Sequence, residues 1–185
     1  PAMSQSFGVE AAGSKVTFLM NAPLEKIHGE APDSVAGDLH IDLTDVTKST
    51  GLVKVDLDKL TLYQQKRAKE GEEYGERKKD DTQNEHARAW LEIGSDAPAE
   101  TREKHRWVEF KIEKVLSVQP QTDVTKMTGP ERKITAVVMG DFRLHGRVSK
   151  KRMPIEVTFK FDGDKPVSAA VKSTSPLSIG LEEHD

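Results

Sequence analysis

Apolar and polar residues alternate with a period of two along most of this chain, the pattern of half-buried β-strands. Val16, Phe18 and Met20 alternate with Thr17 and Leu19. Val35, Gly37, Leu39, Ile41 and Leu43 share one face, with Ser34, Ala36, Asp38, His40 and Asp42 on the other. Val53, Val55 and Leu57 alternate with Lys54, Asp56 and Asp58, and Val108, Phe110 and Ile112 with Trp107, Glu109, Lys111 and Glu113. Two longer runs follow: Ile134, Ala136, Val138, Gly140, Phe142 and Leu144, then Met153, Ile155, Val157, Phe159 and Phe161, the latter with Glu156, Thr158 and Lys160 opposite. Val167, Ala169 and Val171 predict a further strand, and a short segment near Ile27 brings the total to about eight.

The connections fit an antiparallel arrangement. Gly146-Arg147-Val148-Ser149 reads as a hairpin between the two long strands, and Asp162-Gly163-Asp164 as a tight turn. Clean alternation gives each sheet one wet face. Strands of this length and number form a sandwich or close into a barrel.

One segment departs from the alternation. Twelve of the sixteen residues from Lys66 to Asp81 are charged, with both signs mixed, which predicts an exposed, mobile helix or loop. Asp81 to Ile93 reads as a helix with Ala87, Trp90 and Leu91 on one face. Asp81 or Thr82 is its expected cap, Glu85 the capping-box partner of Thr82, and Gly94 its stop. Residues 96–104 and 119–131 read as loops. The expectation is therefore all-β, an eight-stranded antiparallel barrel with a helical insertion between the fourth and fifth strands.

Residues 4–185 read as one domain, since no repeat or linker divides them. Pro1-Ala2-Met3 reads as the remnant of a cleaved tag. A start of that kind hints at a removed leader, and so at export.

Composition narrows the function classes. The 35% hydrophobic and 32% charged content, with ten aromatic residues, suits a thin-walled, well-solvated domain better than a thick helical core. A net charge of -3 offers no basic footprint for nucleic acid. No apolar run approaches the roughly 20 residues of a membrane helix. The absence of cysteine removes disulfides, thiol catalysis, cysteinyl zinc and iron–sulfur ligation.

Catalytic motifs are missing as well. His28, His40, His86, His105, His145 and His184 show no metal-ligand spacing and read as solvated surface groups. There is no nucleophile elbow and no phosphate-binding glycine loop. Asp38, Asp42, Asp56 and Glu109 fall on outward positions, so no carboxylate pair is marked for acid–base work. No catalytic residue, metal or cofactor is expected. What remains is apolar: the inward positions Phe18, Met20, Leu39, Ile41, Val53, Val55, Val108, Phe110, Ile112, Val138, Phe142, Ile155, Val157 and Phe159, with Trp90 either plugging the core or lining a cavity mouth. Eight such strands can enclose one elongated greasy ligand.

Several segments carry a resemblance. Gly51-Leu-Val-Lys-Val-Asp-Leu-Asp-Lys-Leu60, His86-Ala-Arg-Ala-Trp-Leu-Glu-Ile93, Arg106-Trp-Val-Glu-Phe-Lys-Ile112 and Met153-Pro-Ile-Glu-Val-Thr-Phe159 resemble, in order and spacing, the YceI-like family. In Ile134-Thr-Ala-Val-Val-Met-Gly-Asp-Phe-Arg-Leu-His-Gly146, the residues Gly140, Phe142, Leu144 and Gly146 approximate that family's G-x-L-x-x-x-G pattern. The likeness spans about Ser14 to Leu181. It implies a lipocalin-like barrel holding a polyisoprenoid chain (a polyprenyl quinone, alcohol or phosphate), with a periplasmic location and a homodimer as expectations. The charged run at 66–81 is longer than the family's corresponding segment.

Transfer energetics permit such binding. Burying one CH₂ gains about 0.8 kcal/mol, so one isoprene unit contributes at most ~4 kcal/mol. Association itself costs several kcal/mol. The other expectation weighed is a barrel with a fully packed interior, an interaction or structural module whose working surface is the charged 66–81 segment. An enzyme on this scaffold has the least in the sequence to recommend it.

Overall fold

The computed structural model of the chain describes residues 4–184; the expected tag remnant Pro1-Ala2-Met3 and the last residue lie outside them. The protein is mostly β, with antiparallel ladders. In chain order the strands are β1 (Ser4–Gly8), β2 (Lys15–Ala22), β3 (Glu25–Pro32), β4 (Val35–Asp42), β5 (Thr50–Asp56), β6 (Thr61–Lys66) and β7 (Lys78–Lys79). Helices α1 (Asp81–Trp90) and α2 (Ala99–His105) follow, then β8 (Trp107–Gln119), β9 (Glu131–Leu144), β10 (Arg147–Asp162) and β11 (Lys165–Ser173). One sheet has seven strands in the order β1-β4-β5-β8-β9-β10-β11, and another four in the order β2-β3-β6-β7. The expected count of eight is thus corrected, and the helices follow the seventh strand rather than the fourth. By compactness the described residues divide into 4–9, 37–53 and 109–184, and 10–36 and 54–108.

In the first unit the long alternations do what they predict. Ile134, Ala136, Val138 and Phe142 of β9 and Ile155, Val157, Phe159 and Phe161 of β10 are buried, and their neighbours are not. Gly140 belongs to the same face, where a Cβ would lie 2.1 Å from the carbonyl oxygen of Lys111, so close strand approach demands glycine. The turn is tighter than expected: His145 and Gly146 alone reverse the chain, both at positive φ, and Arg147 already belongs to β10.

β8 runs seven residues past Ile112. Its register against β9 shifts between Ile112 and Lys114, so the buried face passes from Phe110 to Val115 and changes parity. On β11, Ala169 and Val171 pair with Phe159 and Val157, but Val167 sits in a register irregularity and is exposed.

The second unit contains strand that the alternation concealed. β6 reads Thr-Leu-Tyr-Gln-Gln-Lys, and its buried positions are Leu62 and Gln64, so a polar residue occupies an inward site. β7 is only Lys78 and Lys79, too short to show a period. The charged run is mostly exposed loop, with β7 inside it and Asp81 opening α1, and it is tied to the neighbouring strands. The Arg67 backbone N–H donates to Leu24 O and its Nε to Pro23 O, Gly75 N–H donates to Lys66 O, and Lys26 and Arg67 both lie over the Tyr74 ring.

The helices also end differently from expectation. Asp80 caps α1, its carboxylate accepting from Gln83 N–H, because the capping residue must itself be extended and the helix has already begun at Asp81. At the other end Glu92, not Gly94, takes the left-handed conformation. Glu92 N–H donates to Ala89 O and Ile93 N–H to Arg88 O, the paired bonds of a Schellman ending. α2 forms in a stretch expected as loop. It starts after Pro98, which presets φ, and its seven residues carry no apolar stripe.

Asn84 of α1 holds β6. Its side-chain oxygen accepts from Leu62 N–H at 2.9 Å, and its amide nitrogen donates to Leu62 O at 3.0 Å, standing in for a neighbouring strand. Asn84→Ala should therefore strand two backbone groups and lower stability by roughly 1–3 kcal/mol. Urea unfolding monitored by circular dichroism measures this; an unchanged midpoint would show that the amide does not support β6.

Candidate functional site

The fifteen residues expected to line a cavity separate by accessibility. In the first unit Ile41, Phe110, Val138, Phe142, Ile155, Val157 and Phe159 are buried, with Val138 at 3% exposure and Phe159 at 0%. These side chains are covered almost entirely by protein, Phe159 completely. Leu39, Val53 and Ile112 are half-buried. In the second unit Val55 and Val108 are half-buried, while Phe18, Met20 and Trp90 are exposed.

Strand register shows which of the exposed residues share a surface. Phe18 pairs with Gly29, and Met20 with Ile27, across β2 and β3. Gly29 in turn pairs with Leu62, and Ile27 with Gln64, across β3 and β6. Directly opposed residues point to the same side of a sheet. Phe18, Met20, Ile27, Gly29, Leu62 and Gln64 therefore form one face. The Phe18 ring covers Gly29, where a Cβ would lie only 1.9 Å from it.

Accessibility runs in one direction across that face. Ile27 and Leu62 are buried, while Phe18 at 44% and Met20 at 38% remain open to solvent. The inward assignment of Phe18 and Met20 has the right parity, but they are not enclosed, because β2 is the end strand of its sheet. Ile27 was only a marker of a strand in the sequence, and Leu62 and Gln64 were hidden by the glutamine. Gln64 is buried and donates to the Glu25 carboxylate, which places one polar group at the margin of an apolar surface.

A second cluster in the same unit is ionic. Asp56 is buried, contrary to its expected outward position, because β5 ends there and the chain turns into a 3-10 turn over residues 57–59. Arg106 meets it in two parallel bonds, Nε to Oδ1 at 2.9 Å and Nη2 to Oδ2 at 2.8 Å. Asp56 Oδ1 also accepts from Asp58 N–H. Asp58 lies 3.3 Å from the same guanidinium, whose plane faces the Trp107 ring together with Lys54. The Arg106 hydrogen bonds hold the Asp56 carboxyl below the usual carboxylate range, and the pairing raises Arg106. The Arg106 guanidinium is shared between Asp56 and Asp58, which fastens the end of β5 to the residue that precedes β8.

The histidines are more engaged than expected. His40 is exposed and bonded to Ser6, and His28 to Gln65. His105 lies 2.9 Å from the Glu92 carboxylate. His184, expected at the surface, is fully buried. Its Nδ1 lies 3.1 Å from Leu144 O, its Nε2 3.2 Å from Ser149 Oγ, and its ring meets Phe142 edge-on. A lone histidine four residues past a glycine carries no sequence signal for such burial.

Set against known proteins, the chain matches no family model, no curated protein and no solved structure.

The ionic cluster has a pH consequence. Because the folded Asp56 pKa lies below its unfolded value of about 4, its stabilisation is present above that value and is lost as pH falls through the folded pKa. Asp56→Asn should cost about 2 kcal/mol at pH 7 and progressively less below pH ~4. Urea midpoints at pH 7 and pH 2.5 measure the two gaps; equal gaps would show that the pair contributes nothing through ionisation.

Proposed function

We propose that this protein binds a long-chain isoprenoid lipid, without acting on it chemically, as a carrier or sequestering protein of the YceI-like kind with lipocalin-like barrel architecture, exported to the periplasm. The observation that carries the reading is the open apolar face of β2, β3 and β6. Phe18 and Met20 expose hydrocarbon beside buried Ile27 and Leu62, where a branched chain can complete the cover. Covering what remains open of Phe18 and Met20 gains on the order of 1 kcal/mol each, and each ligand CH₂ buried against them about 0.8 kcal/mol more, to set against the cost of association. The Glu25 carboxylate, bonded to Gln64 and directly opposite Lys66, places polar groups at the margin of this face, where the headgroup of a polyprenyl alcohol, quinone or phosphate would lie. No helix among the described residues is long and apolar enough to cross a membrane.

A second reading has its own support. Val138, Phe142 and Phe159 are packed, and the 66–81 segment is held in place by Arg67, Gly75 and Tyr74. Both suit an interaction module that presents a fixed charged surface. Val138→Arg does not separate the readings, since a guanidinium in a packed position unfolds either protein.

Met20→Glu does separate them, because Met20 is accessible. Titration with a polyprenyl quinone, followed by quenching of Trp90 and Trp107 fluorescence, should show saturable binding in the wild type. Met20→Glu should weaken it at least about tenfold, equivalent to 1.4 kcal/mol. Lys160→Glu, on an exposed position of β10, should leave it unchanged. Absence of wild-type binding, or equal binding by Met20→Glu, would favour the interaction module.

A further inference from the structure

β9 carries an arginine at an inward position near its start. Arg132 pairs with Phe159 and shares the face of Ile134, Ala136 and Val138. At 5% exposure it is the most buried arginine or lysine among the described residues. Other arginines of the fold meet carboxylates: Arg106 meets Asp56, Arg77 meets Glu30 and Arg143 meets Glu109. Arg132 meets carbonyls instead. Its Nε donates to Gly129 O at 3.1 Å, its Nη1 to Val124 O at 3.0 Å and its Nη2 to Gly163 O at 3.3 Å. The Phe161 ring lies 3.7 Å from the guanidinium. Carbonyl dipoles and a ring face lower the cost of burying the charge, but they do not neutralise it.

The hydrogen bonding is incomplete as well. A guanidinium has five N–H bonds, and the three carbonyls take one each, which leaves two without a protein acceptor. Arg132 lines a cavity of about 520 Å³ together with Lys126, Met127, Thr128, Gly129 and Asp164. Lys126 brings a second positive charge, largely exposed and 3.9 Å from Asp123. The main-chain N–H groups of Thr128 and Gly129 have no acceptor among the described residues. Asp164 is the one carboxylate in the lining and pairs with neither cation, so the lining carries more positive than negative charge.

We propose that this cavity binds the oxyanion group of a small molecule, a carboxylate or a phosphate, whose oxygens take the two remaining Arg132 N–H bonds. The planar fork of arginine matches two oxygens of either group, and such charge-assisted bonds are about twice as strong as neutral ones. A cation is repelled here by Arg132 and Lys126. A neutral apolar ligand leaves the two N–H bonds unmet, at a cost in desolvation. The cavity is larger than a bare oxyanion needs, and half-buried Met127 offers an apolar wall for an organic remainder. The site lies wholly in the first unit and does not depend on lipid binding at β2, β3 and β6.

Amide NMR of the whole chain tests the assignment. Inorganic phosphate and acetate are each titrated against sodium chloride of equal ionic strength. At least one of them should shift the Arg132 Nε–H and the Thr128 and Gly129 amide signals saturably, in the low millimolar range. Thr128→Glu, at an exposed position, puts a tethered carboxylate into the same cavity. It should weaken that binding at least about tenfold while signals remote from the loop stay in place. Saturation by phosphate alone would assign the site to phosphate esters, and by acetate alone to carboxylic acids. No saturable shift with either anion, or saturable binding that Thr128→Glu leaves intact, would overturn the proposal.

Discussion

The bidentate pair between Asp56 and Arg106 closes the neck of everything inserted between residues 57 and 105. Asp56 ends β5 and Arg106 immediately precedes β8, so the two strands are joined at the point where the chain leaves and returns. The backbone adds a second tie there, Leu57 N–H to Arg106 O at 2.9 Å. Holding a long excursion at its base removes the entropy that its two ends would otherwise retain. The planar guanidinium suits this role better than an ammonium, since it binds both carboxylate oxygens and still faces the Trp107 ring. Arg88 of α1 approaches Asp58 in the same turn, so the first helix is fixed to the same neck.

Within the second unit the strands are unevenly covered. β6 is gripped on one side by β3 and on the other by Asn84 and the short β7, which buries Leu62 and Gln64. β2 is supported on one side only, and its apolar side chains stay open. In the first unit the equivalent inward residues are consumed by packing: β8, β9 and β10 bury Phe110, Val138 and Val157 against protein. Accessible hydrocarbon on an ordered sheet is the physical basis for the lipid reading, and the packed first unit is the reason that reading centres on β2, β3 and β6.

How much of this was legible in the sequence depended on how long each strand keeps one parity. β9 and β10 hold it longest, and the apolar residues they bury are ones the alternation marks, although Arg132 is buried unmarked and the marked Leu144 and Met153 are only half-buried. β8 loses parity at its bulge, so Val115 could not be placed by extrapolating from Phe110 and Ile112. β6 places a glutamine inward, and β7 is two lysines, so neither looks like a strand. α2 has no apolar face to reveal it. The candidate site was half visible: the parity of Phe18 and Met20 was readable, but their exposure depends on β2 being an end strand, a property of topology rather than of local pattern. Asp56 and His184 were misplaced for a related reason, since a buried polar group is recognised only by a partner distant in sequence. Arg106 lies fifty residues from Asp56, and Leu144 forty from His184.

The central claim is that the open face is covered by a greasy molecule in the protein's own setting. Organic extraction of the natively purified protein, followed by mass spectrometry, addresses this without a choice of ligand. The account predicts a co-purifying polyprenyl alcohol, quinone or phosphate at a substantial fraction of one per chain, and its depletion from Met20→Glu protein prepared in parallel. Extracts without any isoprenoid, or with equal amounts from both proteins, would contradict it.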